Sequence, residues 1–400
     1  PIADCKRRRL MPVTERKNKL YAAALPILGR RSHWKRAQSG GGDSATLRAV
    51  EALLKKHHVV GGCVQMIRGG QAAECYTAGY GSLAPLVPVR PDTVFRTASI
   101  AKAVCALLVF RLQTCGKLYV EEDISSFWHR EIRNPNHPDT PIPLGALLSH
   151  SAGIVDTPRY FRSFDEAIGA DELLGDRASF LAAKPYERFR YSNFGAGLIG
   201  SLLEHRFQVS IEELIQRELF APLGIAATAD ITRADAARLA NSYRILPPER
   251  AAAFDAAARR EAASPILAPD PQRHFLLMSG NLFLTAGEMA KLCLLVIHGG
   301  KRGEETFINE SSLHSLLTPV GGGGQHWPGI CHGMGMFLLE DKSVSSRSLH
   351  GHQGFAYGAV NGFFFDDAGN GFVSFNSGAS ERRVGRLSCL NRDLIRVLLP

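Results

Sequence analysis

An α+β fold is what this sequence of 400 residues predicts: one antiparallel sheet supplied by both ends of the chain and flanked by helices, with an all-helical lobe inserted between them. Strand-like runs bounded by Gly, Asp and Asn gather around residues 63–78 and again at 333–375. Between them, from Glu121 to about Pro319, the apolar spacing is mostly helical and the loops carry proline. Nothing repeats, and a hydrophobic fraction of 45% over this length gives ample material for a large core.

The elements follow in order. Residues 1–43 predict a basic flexible tail, closing at Ser39-Gly40-Gly41-Gly42. Its first forty positions hold eleven Lys or Arg against Asp4 and Glu15, so the whole formal excess of +9 sits there and the body is electrically balanced. That distribution argues against a nucleic-acid-binding body, and contact of the tail with an anionic membrane is disfavoured beside plain solvation. Tyr21–Leu28 is too short to span a bilayer and is broken by Pro26. Residues 44–400 form the folded domain, with a sheet lobe at 44–120 plus 330–400 and a helical lobe at 121–329. Ser44–His58 repeats Leu47, Val50, Leu53 and Leu54 at helical spacing. Cys63–Ile67 and Ala73–Ala78 flank Arg68-Gly69-Gly70 as a hairpin. A buried helix runs on from Ser99 to Phe110, and Phe194–Phe207 and Ser210–Phe220 are helical. Gly333–Leu339, Ser348–Gly358, Ala359–Asp366 and Gly371–Phe375 are the late strands, with a turn at Asp366–Asn370. Ser380–Leu399 is expected to close the chain as a helix.

The chemistry starts at Ser99-Ile100-Ala101-Lys102. A hydroxyl and an amine stand one helical turn apart at the head of an almost wholly apolar run, Ala103–Phe110. A helix N-terminus favours negative charge developing on the serine oxygen. Burial disfavours the ammonium form, so Lys102 is positioned to take the serine proton. Tyr191-Ser192-Asn193 adds a phenol and an amide which, in extended backbone, point to one side. The phenol suits proton transfer to a leaving group, and the amide of Asn193 suits holding a substrate carbonyl. The competing reading makes Tyr191 an anchor and Asn193 a helix cap. On a late strand, His352 and Gly354 share a face, where glycine lets a substrate backbone lie close. The N–H groups of Phe355 and Ser99 then suit an oxyanion hole. His350-Gly351-His352 as a metal site, helped by His326 or His332, is the weaker alternative, because no carboxylate or cysteine spacing completes a ligand set.

Taken together these segments resemble the serine β-lactamase and penicillin-binding superfamily, whose boxes are Ser-x-x-Lys, Tyr-x-Asn or Ser-x-Asn, and Lys or His-x-Gly. More narrowly, Phe95–Lys102, Leu147-Leu148-Ser149-His150-Ser151-Ala152-Gly153 and Ser279–Ala286 are similar to stretches of the class C β-lactamase and D,D-peptidase group. The resemblance covers roughly residues 45–400. It implies a β-lactamase/transpeptidase-like fold, Ser99 as the acylated nucleophile, proton transfer shared by Lys102 and Tyr191, substrate contact by Asn193, and a pocket lined by His352, Gly354 and Phe355. Which of Lys102 and Tyr191 is the base stays open. The group needs no metal or organic cofactor. His352 in place of lysine is a conditional cation for a substrate carboxylate, since free imidazole titrates near ~6.5.

The expected function is therefore a serine hydrolase acting through an acyl-enzyme on D-amino-acid-containing peptides or related amides, with β-lactams as potential covalent ligands. A promiscuous esterase, transacylase or weak β-lactamase is the alternative on the same site, and a non-catalytic penicillin-binding sensor the alternative of another class. Eight cysteines without a short-spaced framework tilt the compartment towards the cytoplasm, with export left open.

Overall fold

The computed structural model describes residues 36–39, 44–245, 253–320, 326–327 and 329–400. The expected basic tail lies outside the described residues except for Arg36–Ser39, and there the expectation is corrected: these four residues form strand β1, paired antiparallel with Ala78 back to Cys75. Helix α1 (Ser44–Lys56) follows, then β2 (Gly61–Arg68) and β3 (Gln71–Leu83). Their turn, Gly69-Gly70, has φ of 53° and 74°, a region that glycine enters without a Cβ clash. A short β4 (Leu86–Pro88) folds back on β3.

The chain returns to the same sheet as β5 (Ile330–His332), β6 (Phe337–Leu339), β7 (Leu349–Ala356), β8 (Ala359–Phe365) and β9 (Gly371–Asn376). The strand order is β1–β3–β2–β9–β8–β7–β6–β5, with β4 beside β3. The two ends of the chain join where β2 pairs with β9, Gly62 opposite Asn376 and Val64 opposite Ser374. The expected α+β architecture is what the molecule has.

Both faces of this sheet are covered, as the period of two along β8 and β9 shows. Phe363, Phe365, Val373 and Phe375 face one core, shared with helix α2 (Ala101–Thr114). Phe364 and Phe372 face the other, against Val50 and Leu54 of α1 and Leu390, Leu394 and Ile395 of α5 (Cys389–Leu398). Each such fully buried side chain contributes on the order of 1.5–3 kcal/mol. Helix α2 has no wet face because it runs through the middle of the first core, with every residue from Ala101 to Phe110 buried. Helix α3 (Asn193–Phe207) and α4 (Ala286–Ile297) pack in that same core.

Two boundaries differ from expectation. Ser380–Leu399 is not one helix: β10 (Arg383–Val384) and β11 (Leu387–Ser388) form a hairpin, and α5 begins only at Cys389. Gly385, with φ of 60°, makes the turn, and Ser388 caps α5 by accepting from the Asn391 N–H. Of the run Gly333–Leu339 expected as one strand, only Phe337–Leu339 (β6) is strand, and residues 333–336 are the turn that joins β5 to β6.

Candidate active site

Ser99 lies in a single 3-10 turn, Ala98–Ile100, that leads straight into α2. Ala98 has φ of 53°, a left-handed conformation that costs a residue with a Cβ roughly 1 kcal/mol. The surroundings hold it there: a Cβ placed on Gly354 would come within 2.2 Å of the Thr97 carbonyl and 3.3 Å of the Ser99 nitrogen. Glycine is thus required at 354 for β7 to lie against the serine turn.

Lys102 Nζ stands 3.1 Å from Ser99 Oγ and also donates to the Ser279 carbonyl. Its side chain is 4% exposed. Burial lowers its pKa from 10.5 to about 7, Asp156 opposes that, and Arg96 reinforces it. Tyr191 completes the contact, hydrogen-bonded to Ser99, and its ring lies 5.4 Å from Lys102 Nζ. Burial raises the Tyr191 pKa above the ordinary value, so the phenol stays protonated. A hydroxyl between a neutral amine and a neutral phenol can lose a proton to the first while the second donates to a departing group.

The backbone at Tyr191-Ser192-Asn193 is only partly the extended stretch the sequence suggests. Ser192 is extended and caps α3 by accepting from the Gly195 N–H, and Asn193 is already the first helical residue. Tyr191 and Asn193 nevertheless line one cavity of about 620 Å³, together with Ser99, His352 and Phe355. β6 pairs with β7 only as far as Gly351, so the edge of β7 from His352 onward is unpaired among the described strands. A substrate backbone can add there as a further strand.

His352 departs from expectation. Burial, with Lys102 adding to it, pushes its pKa down to about 3. Its Nδ1 lies 2.7 Å from the Gln353 carbonyl, so that nitrogen carries the proton and Nε2 is left as an acceptor. The ring is therefore uncharged at neutral pH and is no cation for a carboxylate. The cavity's cations are arginines instead: Arg190, Arg383 and Arg386, the last two on or beside the β10–β11 hairpin. Arg383 stacks 3.8 Å from the Phe355 ring and Arg386 5.1 Å from the Trp327 ring.

Sequence reasoning does not find Phe189 and Trp327 as wall residues, and it reads His326 and His332 only as helpers of the disfavoured metal site. Phe189, His326, Trp327 and His332 form an aromatic wall, with Phe189 and His326 stacked at 4.4 Å. His150 stacks on Tyr191 at 4.2 Å and accepts from the Ser192 N–H through Nδ1, which fixes the phenol's approach. Burial holds His150 and His332 well below the usual imidazole range. Asp156 was also missed, although the helix start at Thr157-Pro158 marks its neighbourhood. Its Oδ1 accepts from the Phe194 N–H at 2.8 Å and the Ser192 hydroxyl at 3.1 Å, and its Oδ2 from Asn193 Nδ2 at 2.8 Å. Among the described residues no group of three side chains is arranged to hold a metal ion.

The Beta-lactamase family model matches residues 47–386, and the chain belongs to that serine-hydrolase family. Protein flp of Staphylococcus aureus (strain N315) is 27% identical over 187 residues, spanning 46% of this chain and 37% of that protein. The chain thus matches well under half the length of this curated relative. Among solved structures, the D-amino acid amidase of Ochrobactrum anthropi SV3 superposes with a TM-score of 0.65 at 21% identity, covering 89% of this chain and 98% of that one. The octameric penicillin-binding protein homologue of Pyrococcus abyssi gives a TM-score of 0.66 at 20% identity, covering 84% and 74%. These likenesses agree with the observed fold. No helix among the described residues is long and apolar enough to cross a membrane.

Proposed function

We propose that this chain is a serine amidase or peptidase that forms an acyl-enzyme on Ser99, with D-amino-acid amides and short D-amino-acid peptides as substrates. The observation that carries the reading is the 3.1 Å contact between Ser99 Oγ and an amine whose pKa is lowered to about 7. In this reading Ser99 Oγ attacks the scissile carbonyl and its proton passes to Lys102. The oxyanion is received by the Ser99 and Phe355 N–H groups, and Tyr191 passes a proton to the departing amine. Water then releases the acyl group from Ser99 by the reverse proton path. Of the two residues left open as base, Lys102 is the one neutral often enough near pH 7, whereas Tyr191 holds its proton. The free edge of β7 and the neutral His352 support a peptide-like substrate, and Arg383 and Arg386 suit a leaving group ending in a carboxylate. Likeness in fold to a D-amino acid amidase supports the chirality.

Intact-protein mass after treatment with a fluorophosphonate, a penicillin and a D-Ala-D-Ala ester tests this, with Ser99→Ala alongside. An adduct on the wild type alone, turned over with the ester, is expected. Failure of all three reagents to modify Ser99 would overturn it.

A further inference from the structure

Asp156 lines the cavity beside Asn193, and in the acyl-transfer steps its charge enters only by opposing the lowered pKa of Lys102. A carboxylate has about four acceptor sites, and three are taken by the Phe194 N–H, the Ser192 hydroxyl and Asn193 Nδ2. The last contact, at 2.8 Å, fixes the amide of Asn193. An amide oxygen in that position would face the carboxylate with two acceptors opposed, so the nitrogen belongs there and Oδ1 is turned away from Asp156. The sequence suggests that Asn193 donates to a substrate carbonyl. Its donor is in fact committed to Asp156, and what remains available is an acceptor next to an anionic group.

Two acceptors side by side, one of them charged, call for a donor, and the negative charge favours a cationic one. A primary ammonium meets both requirements with three N–H groups. An N-acylated substrate brings a carbonyl oxygen to this place and a single neutral N–H, leaving the carboxylate uncompensated once water is excluded. We infer that Asp156 and Asn193 Oδ1 form an ammonium pocket, so that the substrate is an amide or peptide whose α-amine next to the scissile carbonyl is free. The inference rests on the serine-amidase reading of Ser99 and narrows it. With Arg190, Arg383 and Arg386 on the same cavity, the fitting peptide is an unblocked one with an ammonium in its acyl half and a carboxylate in its leaving half.

The test compares D-phenylalanine amide with N-acetyl-D-phenylalanine amide on the wild-type protein. Expected is a preference for the free amine of roughly 50-fold in kcat/KM, the worth of a charge-assisted hydrogen bond. In Asp156→Asn that preference collapses, the ratio of the two kcat/KM values falling to near one through a raised KM on the free amine. Equal rates, or preference for the acetylated amide, overturn the pocket, and the wild-type comparison alone decides this if the variant fails to fold. A binding arm covers the case in which neither amide is cleaved: D-phenylalaninol is expected to slow fluorophosphonate labelling of Ser99, and N-acetyl-D-phenylalaninol is not. Labelling unaffected by the amine overturns the pocket while leaving the nucleophile standing. Absence of labelling overturns the serine-amidase reading and the pocket with it.

Discussion

Replacing Lys102 by methionine is expected to make the protein more stable while removing its activity, and the size of the gain follows from the site. The amine is buried, with its pKa lowered from 10.5 to about 7. A tenfold change in a protonation equilibrium is about 1.4 kcal/mol, so at pH 7 burial of this group costs roughly 4 kcal/mol. Against that stand its bonds to Ser99 Oγ and the Ser279 carbonyl, whose partners lose a donor, at about 1–3 kcal/mol. Lys102→Met therefore gains on the order of 1–3 kcal/mol at neutral pH. The sign of the pH dependence is fixed by the lowered pKa. Between pH 7 and 10.5 the unfolded chain holds more protons than the folded one, so the wild type gains stability relative to the variant as pH rises through that window. Below pH 7 both states are protonated and the cost stays constant. Urea unfolding of both proteins at pH 7 and pH 9 should show the variant's advantage shrink by roughly 2 kcal/mol. A difference that is flat across the window, or that widens with pH, would refute the claim that this amine is held neutral by burial.

Activity should follow the same group: kcat/KM on a D-amino-acid ester rises with pH up to about 7 and then levels, because the base must be unprotonated. A profile with no inflection there would remove Lys102 from the role of base. Gly354→Ala would drive a Cβ to 2.2 Å from the Thr97 carbonyl and push β7 off the serine turn. Acylation should fall by roughly 100-fold in a protein that still melts cooperatively, and normal burst kinetics would contradict this. Glu204, fully buried, accepts from the Ile211 N–H at 2.6 Å, the Asp270 N–H at 2.9 Å and pairs with His274 at 2.6 Å. Glu204→Ala strands all three and should destabilise by about 3–5 kcal/mol in urea titration, and wild-type stability in the variant would count against it.

The sequence made the two-ended sheet and the serine helix legible because both rest on local patterns: short runs bounded by Gly, Asp and Asn for the strands, and unbroken apolarity in Ala103–Phe110 for the helix. Ser99, Lys102, Tyr191, Asn193, His352, Gly354 and Phe355 stand together around one cavity. What escaped depends on tertiary surroundings. His352 reads as an imidazole titrating near its free value, and only the burial supplied by distant segments moves it down to about 3. Asn193 reads as a donor until Asp156, 37 positions earlier, is found to occupy its nitrogen. The aromatic wall joins Phe189 to His326, Trp327 and His332, the last on β5, from segments far apart in the chain with no shared spacing to betray it. The β10–β11 hairpin is hidden in the sequence because Val384, Leu387, Leu394 and Ile395 keep helical spacing across Gly385, whose turn interrupts it.

The seam between β2 and β9 carries a consequence for synthesis. Ser377 Oγ donates to the Gly61 carbonyl across 316 positions of chain, and Gly354 closes on the Ser99 turn from nearly as far. A chain emerging from the ribosome shows its first hairpin and its nucleophile long before the strands that cover them exist. For that interval β2 is an open edge and Ser99 lacks the Phe355 N–H that the proposed chemistry needs. The emerging chain is accordingly both sticky and inert. On the proposed chemistry it reaches competence only when its last quarter docks.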